Sequence, residues 1–100
     1  MTVLVDELRE YPHTPLPFTR WCHLVSDESF EELHAFAAAL GIPRERFQRD
    51  HYDLPPALRE RALENGAHAV SIDDLAQRMV GPRGDRNRAR RARRAAARRP

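Results

Sequence analysis

A chain of 100 residues with a mean hydropathy of −0.71 has room for one modest core, which buries only about 60 to 65% of the surface that the unfolded chain exposes. A single cysteine excludes an intramolecular disulfide, and no apolar run reaches the roughly 20 residues of a membrane-spanning helix. The net charge of +2 hides a division at Gly81-Pro82: residues 1 to 80 carry eight Arg against fourteen Asp and Glu, while residues 81 to 100 carry nine Arg against Asp85.

Every cation is Arg, and Ala is abundant, as a GC-rich genome would produce, so the use of Arg over Lys carries little by itself. Met1 to Glu10 is acidic where a secretory signal needs a basic patch and an apolar run. A soluble cytoplasmic protein, with no membrane partner, is the expectation.

In chain order, Thr2 to Val5 reads as a buried strand ending at Asp6. Three prolines between Tyr11 and Phe18 remove backbone donors and disfavour helix, so a loop follows, with Tyr11, Leu16 and Phe18 placed to strap it over the core. Arg20 to Val25 alternates as a second strand, Trp21, His23 and Val25 on one face and Cys22 and Leu24 on the other. Ser29 with Glu32 forms a capping box for a helix whose stripe is Phe30, Leu33, Ala37 and Leu40, stopped by Gly41 and Pro43.

Phe47 to Tyr52 is a short strand or extended segment, and Asp53-Leu54-Pro55-Pro56 opens a helix that Asn65-Gly66 closes. His68 to Ser71 reads as a last strand, and Ser71 with Asp74 caps a final helix over Leu75 to Val80. There is no internal repeat. The order predicts an α/β domain over residues 1–80, with a small mixed or parallel sheet of three to four strands and about three helices.

Ligands of open α/β sheets bind beyond the C-terminal strand ends, where Asp6, Asp27 and Asp53 would fall. Asp is equally a favoured N-cap, and Asp27 and Asp53 stand beside helix starts, where capping or turn formation is the plainer role. His34 lies about 90° from the centre of its helix stripe, at the border of the buried face. His23 shares a strand face with Trp21, and His51 is flanked by Asp50 and Asp53, carboxylates that would raise its pKa and orient its ring. The candidate catalytic residues are therefore His23, His51, Asp53 and Asp27, with Asp6, His34, Gln48 and Arg59 as candidate ligand-binding residues.

The same His and Asp set would suffice in number for Zn²⁺ or Fe²⁺, but its spacing matches no strong metal motif, so a divalent cofactor is left open. Without a metal, His51 or His23 would act as general base beside Asp, and Arg20, Arg49 or Arg59 would hold a phosphate or carboxylate. No nucleophile elbow, P-loop or dinucleotide fingerprint occurs, and Cys22 reads as a small buried residue.

Residues 81–100 have no large apolar side chain and repel one another, which predicts an Arg-rich flexible, disordered tail. Arg and Ala favour helix, so Ala89 to Ala97 would become helical against a polyanion. Arg86, Arg88, Arg90, Arg91, Arg93 and Arg94 are the candidate contacts to RNA or DNA phosphates.

The segments Thr2-Val3-Leu4-Val5-Asp6, Arg20-Trp21-Cys22-His23-Leu24 with Ser26-Asp27, Glu32-Leu33-His34-Ala35-Phe36-Ala37, Phe47-Gln48, His51-Tyr52-Asp53-Leu54, Arg59 and Gly66-Ala67 together resemble the bacterial and phage family of domain of unknown function 4031. The resemblance spans about residues 1–80 and implies no particular activity. Three readings stand: a small ligand-binding or hydrolytic domain acting on a phosphate- or nucleotide-type ligand, with or without a metal; a nucleic-acid-associated adaptor binding through its tail; and a protein-binding module using the Tyr11 to Phe18 loop. The first turns on whether His23, His34 and His51 converge.

Overall fold

The structure is a computed structural model that describes residues 2–13, 15 and 17–98. Its strands are β1 (Val3–Val5), β2 (Arg9–Glu10), β3 (Arg20–Ser26), β4 (Phe47–Gln48), β5 (His51–Leu54) and β6 (His68–Ala69). Its helices are α1 (Phe30–Ala39), α2 (Pro56–Glu64), α3 (Ile72–Arg78) and α4 (Pro82–Ala97), with a 3-10 turn at Arg44–Arg46. The sheet runs β4-β5-β3-β1-β6, and β2 pairs beside it with β3. The β1–β6 pair is parallel; the β1–β3, β2–β3, β3–β5 and β4–β5 pairs are antiparallel.

The mixed α/β class is as expected, but six strands and four helices exceed the three to four strands and three helices read from the sequence. One extra strand is β2, two exposed residues too short to leave a hydrophobic pattern. Another arises where Phe47 to Tyr52 folds back on itself as the β4–β5 hairpin, turning through Arg49 at φ 61° and Asp50. A bulky residue in the left-handed region is uncommon, and no Asn-Gly or Asp-Gly marked the turn.

Alternate residues of the central strands serve two different cores. Cys22, Leu24, Tyr52 and Leu54 pack toward α1 and α2, against Leu33, Ala37 and Ala62, all fully or nearly fully buried. Leu4 and Val25 point the other way, against Leu75 and Met79 of α3 and its C-terminal end. Burying one such leucine contributes about 1.5 to 3 kcal/mol, so both faces are needed by a domain this small.

Ser29 caps α1 as its spacing predicts, accepting the Glu32 amide at 3.0 Å. The return arm of the box differs: Ser26 Oγ donates to the Glu32 carboxylate at 2.6 Å and accepts the Ser29 amide at 3.1 Å, so a strand residue closes it. Ser71 caps α3 through the Asp74 amide. Neither Asp27 nor Asp53 caps a helix. Asp27 accepts the Thr2 amide at 3.0 Å and pairs with Arg78 at 3.2 Å, holding the start of β1 to the end of α3. Asp53 lies inside β5, and Pro55 stands at the start of α2 with no side-chain cap.

Residues 82–97 form a helix, which corrects the expectation of a disordered tail. Three small or polar contacts replace the missing apolar ones. Gly84 is buried where any Cβ would overlap the Met79 carbonyl oxygen, Asn87 donates to the Ala76 carbonyl at 2.9 Å, and Arg88 donates to the carbonyls of Gln77 and Met79. The last carbonyls of α3, orphaned by the helix end, thereby find donors on α4. The strap role expected of Leu16 falls outside the described residues. Among the described residues, no helix is long and apolar enough to cross a membrane.

Candidate metal centre

Strand register brings the chemistry together. His23 stands opposite Asp53 across β3 and β5, and His51 lies two residues from Asp53 on the same face. A ligand atom from each of the three lies within 4.8 Å of the other two. The imidazoles of His23 and His51 meet edge to face with centroids 5.1 Å apart. Trp21 continues the row at 5.3 Å from His23, and Tyr11 stacks on Trp21 at 4.0 Å.

Each histidine is held from behind by a buried carboxylate. Asp6, 1% exposed just past the end of β1, accepts the His23 backbone amide at 2.7 Å through Oδ1 and the ring Nδ1 at 2.7 Å through Oδ2. Asp50, 2% exposed in the hairpin turn, accepts His51 Nδ1 at 2.8 Å. A carboxylate only accepts, so Nδ1 carries the hydrogen in both rings and Nε2 is the nitrogen left for a proton or a metal. Arg83 of α4 grips Asp50 with two bonds, Nε to Oδ2 at 3.0 Å and Nη2 to Oδ1 at 2.7 Å. That fork fixes the carboxylate that fixes His51.

Asp53 differs from these supports. Its Oδ1 is buried and lies 3.2 Å from His51 Nε2, yet it has no hydrogen-bond partner, one of two such buried side-chain atoms among the described residues, with Trp21 Nε1. Burial opposes charge on His51, but the neighbouring carboxylates of Asp53 and Asp50 prevail and hold its pKa above the ordinary imidazole value.

The remaining candidates lie elsewhere. His34 is separated from the cluster by the sheet, its Nδ1 2.8 Å from the Tyr52 hydroxyl and its ring 4.5 Å from Phe47. Burial, followed by the charge of Arg44, lowers its pKa. Arg59 reaches from α2 to donate Nε to the Asp6 carbonyl at 2.9 Å, a backbone anchor behind the site. Gln48 pairs with His51 in register and shares with it a cleft of about 260 Å³ that Arg49 and Arg83 complete. Burial, then Asp6, pushes the Cys22 thiol up to about 12, which leaves it no thiolate for nucleophilic work at neutral pH. Arg83 is the residue that sequence reasoning missed: it stands 33 positions from Asp50, and nothing local marks it as different from the arginines that follow.

Fold and site together define a small mixed α/β domain with two carboxylate-oriented histidines and a third carboxylate on one sheet face. By sequence the chain belongs to the family described as protein of unknown function (DUF4031), which matches residues 3–81. No curated protein and no solved structure matches the chain. The basic helix α4 lies beyond the family match.

Proposed function

We propose that His23, His51 and Asp53 hold a divalent first-row metal ion, and that this domain uses it in hydrolytic chemistry on an anionic, phosphate-type ligand. One observation carries the reading: both imidazoles donate Nδ1 to buried carboxylates, while the buried Oδ1 of Asp53 makes no hydrogen bond and lies 3.2 Å from the Nε2 of His51. Carboxylate–histidine–metal arrays are built this way, the outer carboxylate setting tautomer and ring direction. Two histidines and one carboxylate leave coordination positions open, the mark of a catalytic rather than a structural centre. A bound metal would lower the pKa of a coordinated water toward about 7 and polarise a phosphoryl or carbonyl oxygen.

Charge favours the same reading. Asp6, Asp50 and Asp53 place three carboxylates in or behind the cluster, and Arg83 is the cation that grips one of them. Buried charge is costly unless paired, and a divalent ion offsets the remainder. Arg49 and Arg83 flank the cleft beside His51, where a ligand anion would find donors.

Calorimetric titration of the purified chain with Zn²⁺ tests this. The expected result is one ion per chain, with affinity falling at least about 10-fold in His23→Ala and His51→Ala and unchanged in His34→Ala, as loss of a ligand rather than a distant histidine would cause. Equal affinity in all four proteins would refute the assignment.

A further inference from the structure

Helix α4 carries its arginines on one broad side and runs past the end of α3, leaving a groove of about 700 Å³ between the two helices. Arg90, Arg91, Arg94 and Arg98 line it, with Asp73 as the one acidic residue among the described residues of the lining. None of these four arginines has a carboxylate within 4.0 Å among the described residues, whereas Arg78, Arg83 and Arg88 are all paired. Arg90, Arg94 and Arg98 recur every fourth residue, so their stems climb the helix at intervals of about 6 Å.

We propose that this groove is a docking surface for the phosphate backbone of a nucleic acid. A ladder of unpaired guanidinium groups matches a ligand that repeats its negative charge along a line. Two alternatives fit the residues less well. An amphipathic helix on a lipid surface buries Trp, Phe or Leu beneath its basic side, and Pro82–Ala97 contains none of them. A peptide ligand anchors through apolar side chains, and Ala76 and Ala95 are the only apolar residues of the lining among the described residues.

The fold supplies what a free tail would lack. Gly84, Asn87 and Arg88 fix α4 on α3, so the arginines of its second half are presented from a rigid support. Ala76 and Asn87 form part of the groove and also part of an adjoining recess of about 200 Å³ that includes His23 and Arg83. Docking in the groove itself requires no metal.

Of the arginines expected to meet phosphates, Arg90, Arg91 and Arg94 line the groove; Arg86 and Arg93 lie outside it, and Arg88 is committed to Asp85 and the α3 carbonyls. That division supplies the test. Fluorescence anisotropy with labelled 20-nucleotide DNA and RNA, single- and double-stranded, is measured on the full chain with two charge-matched double variants. Arg90→Glu with Arg94→Glu should weaken binding at least 10-fold and make the dependence of log K on log salt shallower by about 1.5, as two lost phosphate contacts require. Arg86→Glu with Arg93→Glu should weaken it no more than about 3-fold, through net charge alone. Equal losses in the two variants would overturn the groove assignment, as would absence of binding to all four probes. Binding to phosphatidylserine vesicles with no binding to nucleic acid would assign α4 to a membrane surface and equally overturn it.

Discussion

The two faces of the sheet are made from the same strands, yet they have opposite chemistry. Toward α1 and α2, Cys22, Leu24, Tyr52 and Leu54 form a dry core. One residue along, His23, His51 and Asp53 face the side of α3 and α4, with Asp6 and Asp50 buried behind them. Strand alternation needs no more than a two-residue period to separate a stabilising surface from a reactive one. Histidines on the two faces accordingly have different company: His34 meets Tyr52 and Phe47, whereas His23 and His51 meet carboxylates.

The contrast is broken most sharply through Leu24. Leu24→Ala removes a fully buried side chain from the dry face and should cost about 2 to 5 kcal/mol in urea unfolding, whereas His23→Ala should cost about 1 to 3 kcal/mol, mostly from leaving Asp6 without its ring partner. A larger loss for His23→Ala would mean that the polar face, not the dry one, supports the fold.

A second change separates α4 from the rest. Gly84→Ala places a methyl on the Met79 carbonyl, so α4 should lift from α3 and its amides exchange at least 10-fold faster with solvent, while β3 amides keep their protection. Unchanged exchange across Pro82–Ala97 would contradict the packing described.

The smallest effect sharpens the comparison by pH. In the metal-free protein His34 should titrate below and His51 above the usual imidazole value of about 6.5, read by NMR. The stability consequences have opposite signs. The fold disfavours the proton on His34, so its contribution is complete above the unfolded pKa and declines as pH falls below it. His51 favours the proton in the fold, so its contribution is complete below the unfolded pKa and is lost as pH rises through the folded value. His34→Gln should therefore flatten the stability profile below the unfolded imidazole pKa and His51→Gln the profile above it; the reverse assignment would refute the environments described.

Local signals were legible in the sequence. Ser29 and Ser71 announced their helices, alternation from Arg20 to Val25 put His23 and Cys22 on opposite faces, and Asp50 and Asp53 marked His51 by adjacency alone. What failed was non-local. Asp6 and His23 are 17 residues apart, and Asp50 and Arg83 are 33 apart, joined only once β1 pairs with β3 and α4 docks. The preference of Asp for helix caps misplaced Asp53 because the hairpin at Arg49–Asp50 carries no turn signature, and so Phe47 to Tyr52 read as one short strand or extended segment that stopped before Asp53. Charge density likewise concealed α4, whose support comes from a buried glycine and backbone carbonyls that composition does not register.

The central claim is that the free nitrogens of His23 and His51, and not that of His34, meet at one ion. Long-range proton–nitrogen NMR of the imidazoles, recorded before and after one equivalent of Zn²⁺, reads it directly. Nε2 of His23 and His51 should shift together while both Nδ1 atoms keep their hydrogens and the His34 resonances stay in place. No shift in either ring, or a shift confined to His34, would contradict the account.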